Sequence, residues 1–166
     1  SKVDSKLSLI DRFLNVADRI IIGGGMVFTF LKAQGKNIGS SIYQDDLVSA
    51  AFDILEKTKN SQKLVFPSDY LCNTSIESKK KPVIFSKNEI KDGYMGLDIG
   101  PRSIKRFQSI LNDAETIFWN GPMGVFENKN YEEGTKRLAS SIAELTEKEA
   151  ESIIGGGDSA SALRKY

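Results

Sequence analysis

Three consecutive glycines followed by a carboxylate and a hydroxyl form the segment of this sequence with the clearest chemistry. The segment consists of Gly155, Gly156, Gly157, Asp158 and Ser159. The run Ser152-Ile153-Ile154 before it, which ends in two β-branched apolar residues, is typical of a short strand, and the residues from Ala160 onward can continue as a helix. Glycines let the backbone approach a ligand closely, and the free N–H groups of a helix N-terminus attract anions. The pattern therefore indicates a phosphate-binding turn.

Asp158 brings a negative charge to a place where we expect an anion. A carboxylate contacts phosphate directly only against charge repulsion, so Asp158 suggests a metal ion between the two, most simply Mg²⁺. The alternative is a plain glycine turn in which Asp158 does no more than cap the following helix. The segment by itself leaves both interpretations open.

The same order of strand, three glycines and helix occurs near the beginning of the chain. The run Ile20-Ile21-Ile22 is followed by Gly23, Gly24 and Gly25, and residues 26–33 have a helical pattern that stops near Gly35. Further helices are predicted at 4–17, 45–59, 101 to 111 and 131–145, and further strands at 64–66, 82–85, 95–98, 116–119 and 152–154.

Short apolar strands that alternate with helices favour an α/β architecture, because continuous apolar runs fit strands covered on both faces. We predict a three-layer α/β/α sandwich around a mostly parallel, Rossmann-like sheet, with residues 1–166 forming a single domain. Ligands of such sheets bind beyond the carboxyl ends of the strands. The glycine-bearing turns 23–25, 96–101, 120–127 and 155–159 all follow predicted strands, so together they should form a crevice of nucleotide size.

Composition gives no indication of a nucleic-acid or membrane partner. The 23 Lys and Arg residues nearly balance the 22 Asp and Glu residues, and no apolar run approaches the roughly 20 residues of a membrane span. Cys72 is the single cysteine and the chain has no histidine to activate it, so a cytoplasmic setting and a packing role for Cys72 are expected. The chain begins without Met and stops within a predicted helix, from which we expect an excerpt of a longer protein.

Short nucleotide-binding motifs do not decide which nucleotide is bound. Residues 155–160 fit the final-alanine form of the dinucleotide fingerprint, but the acidic residue expected about 20 positions later would lie beyond residue 166. The first glycine turn fails that pattern at Phe28, and the G-x-x-x-x-G-K-[ST] phosphate loop is absent. A dinucleotide-dependent oxidoreductase domain thus stays an alternative.

A longer and more specific pattern is the loop 118–127, Phe-Trp-Asn-Gly-Pro-Met-Gly-Val-Phe-Glu. Together with 155–159, with Ile-Gly-Gly-Gly-Met-Val-Phe-Thr-Phe at 22–30, Tyr-Met-Gly-Leu-Asp-Ile-Gly-Pro at 94–101 and Ser-Lys-Val-Asp-Ser-Lys at 1–6, it closely resembles the phosphoglycerate kinase family. The resemblance is to the carboxyl-terminal, nucleotide-binding domain. The family's other domain, which holds 3-phosphoglycerate, and its last glycine-rich segment are not in this chain.

The resemblance implies a phosphotransferase that moves a phosphoryl group between 1,3-bisphosphoglycerate and ADP, giving 3-phosphoglycerate and ATP, with Mg²⁺. Such transfer depends on positioning and charge neutralisation and needs no protein nucleophile. The partners implied are ADP and ATP, with the glycerate substrates reached through the missing domain, and we expect a monomer. The chain alone should be inactive, so a nucleotide-binding module without catalysis is the second alternative.

The resemblance also assigns roles at the phosphate end. Lys2 would stabilise the transferring phosphoryl group, together with Gly157, and Lys6 would bind nucleotide phosphates; the two lysines stand four apart near the head of the first helix. Asp158 would hold Mg²⁺ through the nucleotide, and the N–H groups from Gly157 to Ser159 would hold phosphate. Without the resemblance, both lysines are ordinary surface residues. The family commonly has Ala at the position of Ser1, preceded by two glycines, and Thr at Ser159.

At the adenosine end, the resemblance places the adenine ring between the backbone of the first glycine turn and two apolar side chains. The residues implied there and along the nucleotide are Gly23, Gly24, Gly96, Leu97, Asn120, Pro122, Gly124, Val125, Glu127, Gly155 and Gly156. Glu127 would accept hydrogen bonds from the ribose hydroxyls, and Asn120 would bond a phosphate. Without the resemblance, Leu97 and Val125 are core residues, Glu127 is a surface carboxylate and Asn120 is a turn former before Gly121.

Overall fold

The computed structural model describes residues 3–86 and 89–166, with side chains for 6–86, 89–156, 160–161 and 163–166. The helices are α1 (Val3–Phe13), α2 (Met26–Ala33), α3 (Val48–Thr58), α4 (Pro101–Asn112), α5 (Glu133–Glu147) and α6 (Gly157–Lys165). The strands are β1 (Ile20–Ile21), β2 (Leu64–Val65), β3 (Asp69–Asn73), β4 (Val83–Ser86), β5 (Met95–Ile99), β6 (Thr116–Asn120) and β7 (Glu151–Gly155). Two short 3₁₀ turns, Asp45–Leu47 and Lys129–Tyr131, precede α3 and α5.

Parallel pairing joins the strands that bear the two glycine triplets to their neighbours. β1 pairs with β2, with Ile20 opposite Leu64, and β6 pairs with β7 from Thr116 opposite Glu151 to Asn120 opposite Gly155. Because the pairs are parallel, Asn120 and Gly155 end their strands side by side. The alternation of helices with these strands confirms the α/β, Rossmann-like prediction.

An antiparallel sheet in the order β4-β3-β5 is the feature that the sequence pattern did not predict. Its central strand, β3, begins with Asp69 and ends with Asn73, and both are buried. Tertiary partners compensate these polar ends, since Asp69 accepts hydrogen bonds from Ser103 and Asn73 donates to the Lys80 carbonyl oxygen at 2.9 Å. Cys72 is fully buried in this strand, and burial raises the pKa of its thiol to about 12, in agreement with a packing role.

Several helix ends differ from the sequence expectation. α1 ends at Phe13 rather than at residue 17, and the predicted helix 45–59 divides into a 3₁₀ turn and α3. The predicted helix 131–145 begins later, at Glu133, because the Asn128 side chain accepts a hydrogen bond from the Asn130 amide and closes a separate turn first. Hydrogen bonds of this local kind are invisible to apolar periodicity.

Two buried apolar clusters form the core. The first surrounds Phe30, Leu31 and Tyr70, and the second joins α4 and α5 to β6 around Phe107 and Trp119. The second cluster also contains Met123 and Phe126, two residues of the loop after β6. This loop is therefore anchored to the core by its own side chains.

Removal of the Tyr70 hydroxyl is expected to leave the stability of the protein undiminished. Its side chain is buried, and its hydroxyl is the buried side-chain polar atom for which the described residues supply no hydrogen-bond partner. Burial raises the pKa of this phenol above its usual value. We expect Tyr70→Phe to leave the free energy of unfolding unchanged or to raise it by about 1 kcal/mol in urea titrations, because an unpaired buried hydroxyl carries a desolvation cost.

Tyr131→Phe is the matched control for that measurement. Tyr131 is also fully buried, but its hydroxyl oxygen accepts a hydrogen bond from the Asn73 amide at 3.2 Å. Losing this bond should lower the free energy of unfolding by about 1 kcal/mol. Equal destabilisation by both substitutions would contradict the difference in bonding between the two hydroxyls.

Candidate functional site

The loop 121–127 after β6 contacts two other turns at the carboxyl ends of the strands. The Gly24 amide donates a hydrogen bond to the Met123 carbonyl oxygen at 3.2 Å, and the Val125 amide donates to the Leu97 carbonyl oxygen at 3.0 Å. These bonds join the first glycine turn, the end of β5 and the loop 121–127 into one surface. Three of the four glycine-bearing turns that the sequence predicts to converge are therefore in contact.

The first glycine turn meets this loop at close range. A Cβ on Gly23 would overlap the Met123 sulfur, and one on Gly24, whose φ is +69°, would lie 2.9 Å from the Pro122 carbonyl oxygen. Gly25 differs, since a Cβ there would meet no atom within 4 Å. Close packing thus explains why Gly23 and Gly24 are glycines, whereas the space beside Gly25 would admit a side chain.

Leu97 and Gly96 lie in β5 beside this surface. Leu97 is buried, and Val125 is half-buried next to it. The Gly96 amide donates to the Ser41 hydroxyl at 2.9 Å, and a Cβ on Gly96 would overlap the Phe28 ring. Gly96 therefore has a packing reason to be glycine, whatever it contacts in a ligand.

Lys6, Asn120 and the second glycine turn come together at the end of the β6–β7 pair. A Cβ on Gly121 would lie 2.8 Å from the Lys6 ammonium nitrogen, and one on Gly156 would lie 2.9 Å from the Asn120 side-chain oxygen. A positive charge, an amide and a glycine backbone thus share one corner of the molecule. This donor set suits a phosphate group.

The backbone of the second glycine turn has the predicted order of strand, turn and helix. β7 ends at Gly155, Gly156 has a φ of +81°, and α6 begins at Gly157. The side chains of Asp158 and Ser159 lie outside the described part of the chain, as does Lys2 altogether. Trp119 packs beneath this corner and donates its indole N–H to the Gly121 carbonyl oxygen at 2.6 Å.

Glu127 is an exposed carboxylate at the end of the loop 121–127. The Asn128 amide donates to the Val125 carbonyl oxygen at 3.0 Å, which turns the backbone around Glu127. The Asn128 side chain also donates to the Ile76 carbonyl oxygen at 3.2 Å. Glu127 is therefore presented on a backbone that is fixed on its carboxyl-terminal side.

Asp98 is a positioning residue of this region that the sequence reasoning missed. It is buried, and its carboxylate accepts hydrogen bonds from the amides of Ile99 at 2.8 Å and Gly134 at 2.9 Å. Burial raises its pKa to about 7, and the nearby Glu133 adds to the rise while the two amides oppose it. The available signal was a lone acidic residue within the strand Met95–Ile99.

The Asp98 carboxylate also leaves room only for glycine on two neighbouring segments. A Cβ on Gly124 would lie 2.5 Å from its oxygen, and one on Gly134 would overlap that oxygen. On the same side of the loop, the Met123 amide donates to the buried Thr135 hydroxyl at 3.0 Å. Asp98 and Thr135 thus hold the loop 121–127 against β5 and the start of α5.

Among the side chains that the structure describes, those of residues 6–86, 89–156, 160–161 and 163–166, no group of three or more Cys, Asp or Glu is arranged to hold a metal ion. In that same part of the chain, no helix has the length and apolar character needed to cross a membrane.

A family model described as phosphoglycerate kinase matches residues 1–166. The chain belongs to the phosphoglycerate kinase family. Among curated relatives, phosphoglycerate kinase of Thermosipho africanus is 46% identical over 168 residues, covering 100% of this chain and 42% of the relative. Chloroplastic phosphoglycerate kinase 1 of Arabidopsis thaliana is 44% identical over 166 residues, covering 99% of this chain and 34% of the relative.

Solved phosphoglycerate kinases have the same fold over this region. The structure from Coxiella burnetii superposes with a TM-score of 0.91 at 35% identity and covers 99% of this chain and 42% of its own. The structure from Pyrococcus horikoshii gives a TM-score of 0.84 at 28% identity, with 100% and 42% covered. The chain thus spans about two fifths of the length of these phosphoglycerate kinases.

Proposed function

We propose that this chain binds ADP and ATP and supplies the nucleotide half of a phosphoglycerate kinase. In the complete enzyme, a phosphoryl group would pass between 1,3-bisphosphoglycerate and ADP, giving 3-phosphoglycerate and ATP. The observation that carries the proposal is the meeting of Lys6, Asn120 and the Gly155–Gly156 turn at the end of one parallel strand pair. Family membership supplies the reaction class.

At the phosphate end, the chain offers a positive charge, an amide and free backbone N–H groups. Lys6 and Asn120 would contact the phosphates of a bound nucleotide, with the N–H groups at the start of α6. Lys2 and Gly157 would contact the phosphoryl group in transfer. These contacts would position and neutralise charge, which is the main requirement of phosphoryl transfer.

Mg²⁺ would complete the phosphate end. The ion is bound in proteins by one or two carboxylates together with substrate phosphates, rather than by a cage of side chains. Asp158, at the start of α6, would supply one carboxylate, and nucleotide phosphates would supply further ligands. Held there by Asp158, Mg²⁺ would supply positive charge that offsets the charge of the phosphates.

At the adenosine end, the surface joined by backbone hydrogen bonds would hold the base and the sugar. Gly23 and Gly24 would face one side of the adenine ring and Leu97 and Val125 the other. Gly96, Pro122 and Gly124 would shape the site through the backbone. Glu127 would accept hydrogen bonds from the ribose hydroxyls.

A second candidate function is nucleotide binding without turnover. The chain spans only about two fifths of the length of the kinases that it matches, which favours this function. The glycerate substrates would reach this site through the domain that the matched proteins have in addition. We therefore propose that the chain alone binds nucleotide and is inactive. Turnover with ATP and 3-phosphoglycerate, measured with and without the complementary domain, separates the two functions.

Calorimetric titration tests the proposed binding and the role of the metal. We expect saturable binding of ADP with Mg²⁺, weaker binding of ADP in EDTA, and none of NAD. Asp158→Asn should abolish the gain that Mg²⁺ gives while its circular dichroism stays that of the parent. Binding of NAD in preference to ADP would instead support a dinucleotide domain, and an Asp158→Asn variant with the full gain from Mg²⁺ would exclude the metal role.

Glu127→Ala should remove discrimination between ADP and 2′-deoxy-ADP. A hydrogen bond between the carboxylate and the ribose is worth about 1 kcal/mol net, so the parent should prefer ADP by about fivefold. The variant should bind both nucleotides alike. Glu144→Ala, which removes an exposed carboxylate on α5, is the matched control and should keep the preference. A Glu127→Ala variant with the parent's preference would show that Glu127 does not contact the ribose.

A further inference from the structure

The end of α6 contacts the backbone that carries Glu127. The Lys165 ammonium donates a hydrogen bond to the Phe126 carbonyl oxygen at 3.1 Å and forms an ion pair with Glu132 at 3.0 Å. The Tyr166 hydroxyl donates to the same Glu132 oxygen at 2.7 Å. We propose that Lys165 is a positioning residue that fixes the Phe126–Glu127 peptide and so orients Glu127 toward the ribose, an inference that rests on the proposed function.

The peptide that Lys165 contacts sets the direction of the Glu127 side chain. The Phe126 carbonyl and the Glu127 amide belong to one planar unit, so holding the oxygen fixes the plane from which Glu127 departs. The Phe126 side chain is buried in the second core cluster, which fixes the other side of this residue. With the Asn128 side chain bonded to the Ile76 carbonyl oxygen, Glu127 stands between two tertiary anchors.

Lys165 itself is held in place by three neighbouring residues. Glu132 and Tyr166 form a hydrogen-bonded set with it, and its ammonium lies 5.9 Å from the centre of the Phe126 ring and 5.2 Å from that of Tyr166. Hydrogen bonds from Tyr166 and Lys165 lower the pKa of Glu132, which favours the charged form of this carboxylate. An exposed ion pair adds little to stability, but it can still select one side-chain geometry.

The same helix begins at the second glycine turn. α6 runs from Gly157 to Lys165, a length of about 12 Å at 1.5 Å per residue. Its first residues lie at the proposed phosphate end, and its last contact the segment beside the proposed ribose site. Lys165 therefore ties the ribose-binding carboxylate to the element that begins at the phosphate corner.

Nucleotide discrimination by the variant Lys165→Met tests the inference. Methionine keeps most of the apolar stem and removes the ammonium. We expect the roughly fivefold preference for ADP over 2′-deoxy-ADP to fall to near one, while the affinity for 2′-deoxy-ADP stays within twofold of the parent. Lys165→Arg should keep the preference, since a guanidinium can donate to both oxygens. Lys105→Met, at an exposed position on α4, is the matched control and should behave as the parent does.

The ratio of the affinities for ADP and 2′-deoxy-ADP distinguishes a positioning role of Lys165 from a loss of folded protein. An unfolded fraction would lower both affinities equally and leave their ratio unchanged. Glu132→Gln provides a second variant, which removes the ion pair and keeps the Phe126 contact, and it should give an intermediate preference. A full preference in Lys165→Met, or an equal loss of affinity for both nucleotides, would overturn the inference while leaving nucleotide binding intact. A parent chain that binds no ADP would contradict the proposed function and the inference with it.

Discussion

Replacing Lys2 by alanine is expected to lower turnover by about 10²- to 10³-fold in a full-length enzyme restored around this chain. Lys2 is proposed to meet the phosphoryl group while it is in transfer, so its charge should matter most in the transition state. An interaction that forms only there lowers turnover and leaves ground-state binding nearly unchanged. Steady-state kinetics and ADP titration on the same variant measure the two quantities separately.

Lys6→Ala provides the contrast. Its ammonium lies beside Gly121 at the proposed phosphate corner, where it would contact phosphates already present on bound nucleotide. Its loss should therefore weaken nucleotide affinity as well as turnover. A Lys2→Ala enzyme that turns over within a few-fold of the parent would contradict the role of Lys2, whatever Lys6→Ala does.

Asp98→Ala is expected to give a large loss of stability, about 2–4 kcal/mol in the free energy of unfolding. The substitution leaves the buried amides of Ile99 and Gly134 without their acceptor. It also opens space beside Gly124, so the loop 121–127 loses its support and ADP affinity should fall too. Asp53→Ala, at an exposed position on α3, is the control and should change stability by less than about 0.5 kcal/mol.

The charge of Asp98 should also appear in the pH dependence of stability. Burial raises its pKa from 3.8 to about 7, so between these values the folded chain binds a proton that the unfolded chain has lost. The contribution of this proton to the free energy of unfolding is fully present below about pH 4 and is lost as the pH rises through about 7. The chain has no histidine, which leaves few other groups to titrate in this window.

Urea titrations between pH 5 and pH 8 measure this component when the parent is compared with Asp98→Asn. The free energy of unfolding of the parent should fall over this range relative to that of the variant, in which the carboxyl is absent. Parallel curves for the two proteins would show that Asp98 keeps the same charge when the chain folds.

The elements that a sequence pattern predicts best here are those with local signals. The helix 26–33 was predicted with the observed bounds, since an apolar run follows three glycines and stops before Gly35. Pro101 marked the start of α4 correctly, because its fixed φ suits the first helical turn. The two glycine turns were likewise located by residue type alone.

The features that the sequence did not reveal depend on partners distant along the chain. β3 has polar residues at both ends, and their burial is compensated in part by contacts with Ser103, 34 residues away, and with Tyr131, 58 residues away. In the sequence Asp98 is a single charge within a strand, and its positioning role depends on the amide of Gly134, 36 residues away. The contact of Lys165 with Phe126 joins residues 39 positions apart, and no periodicity relates them.

A crystal structure of this chain with ADP and Mg²⁺ would test the nucleotide site most directly. We predict the phosphates beside Lys6, Asn120 and the Gly155–Gly156 turn, and the ribose within hydrogen-bond distance of Glu127. The adenine ring should lie between the first glycine turn and the Leu97–Val125 surface. Nucleotide bound instead in the cleft between α2 and α3, lined by Gln34, Phe52 and Phe66, would contradict the account.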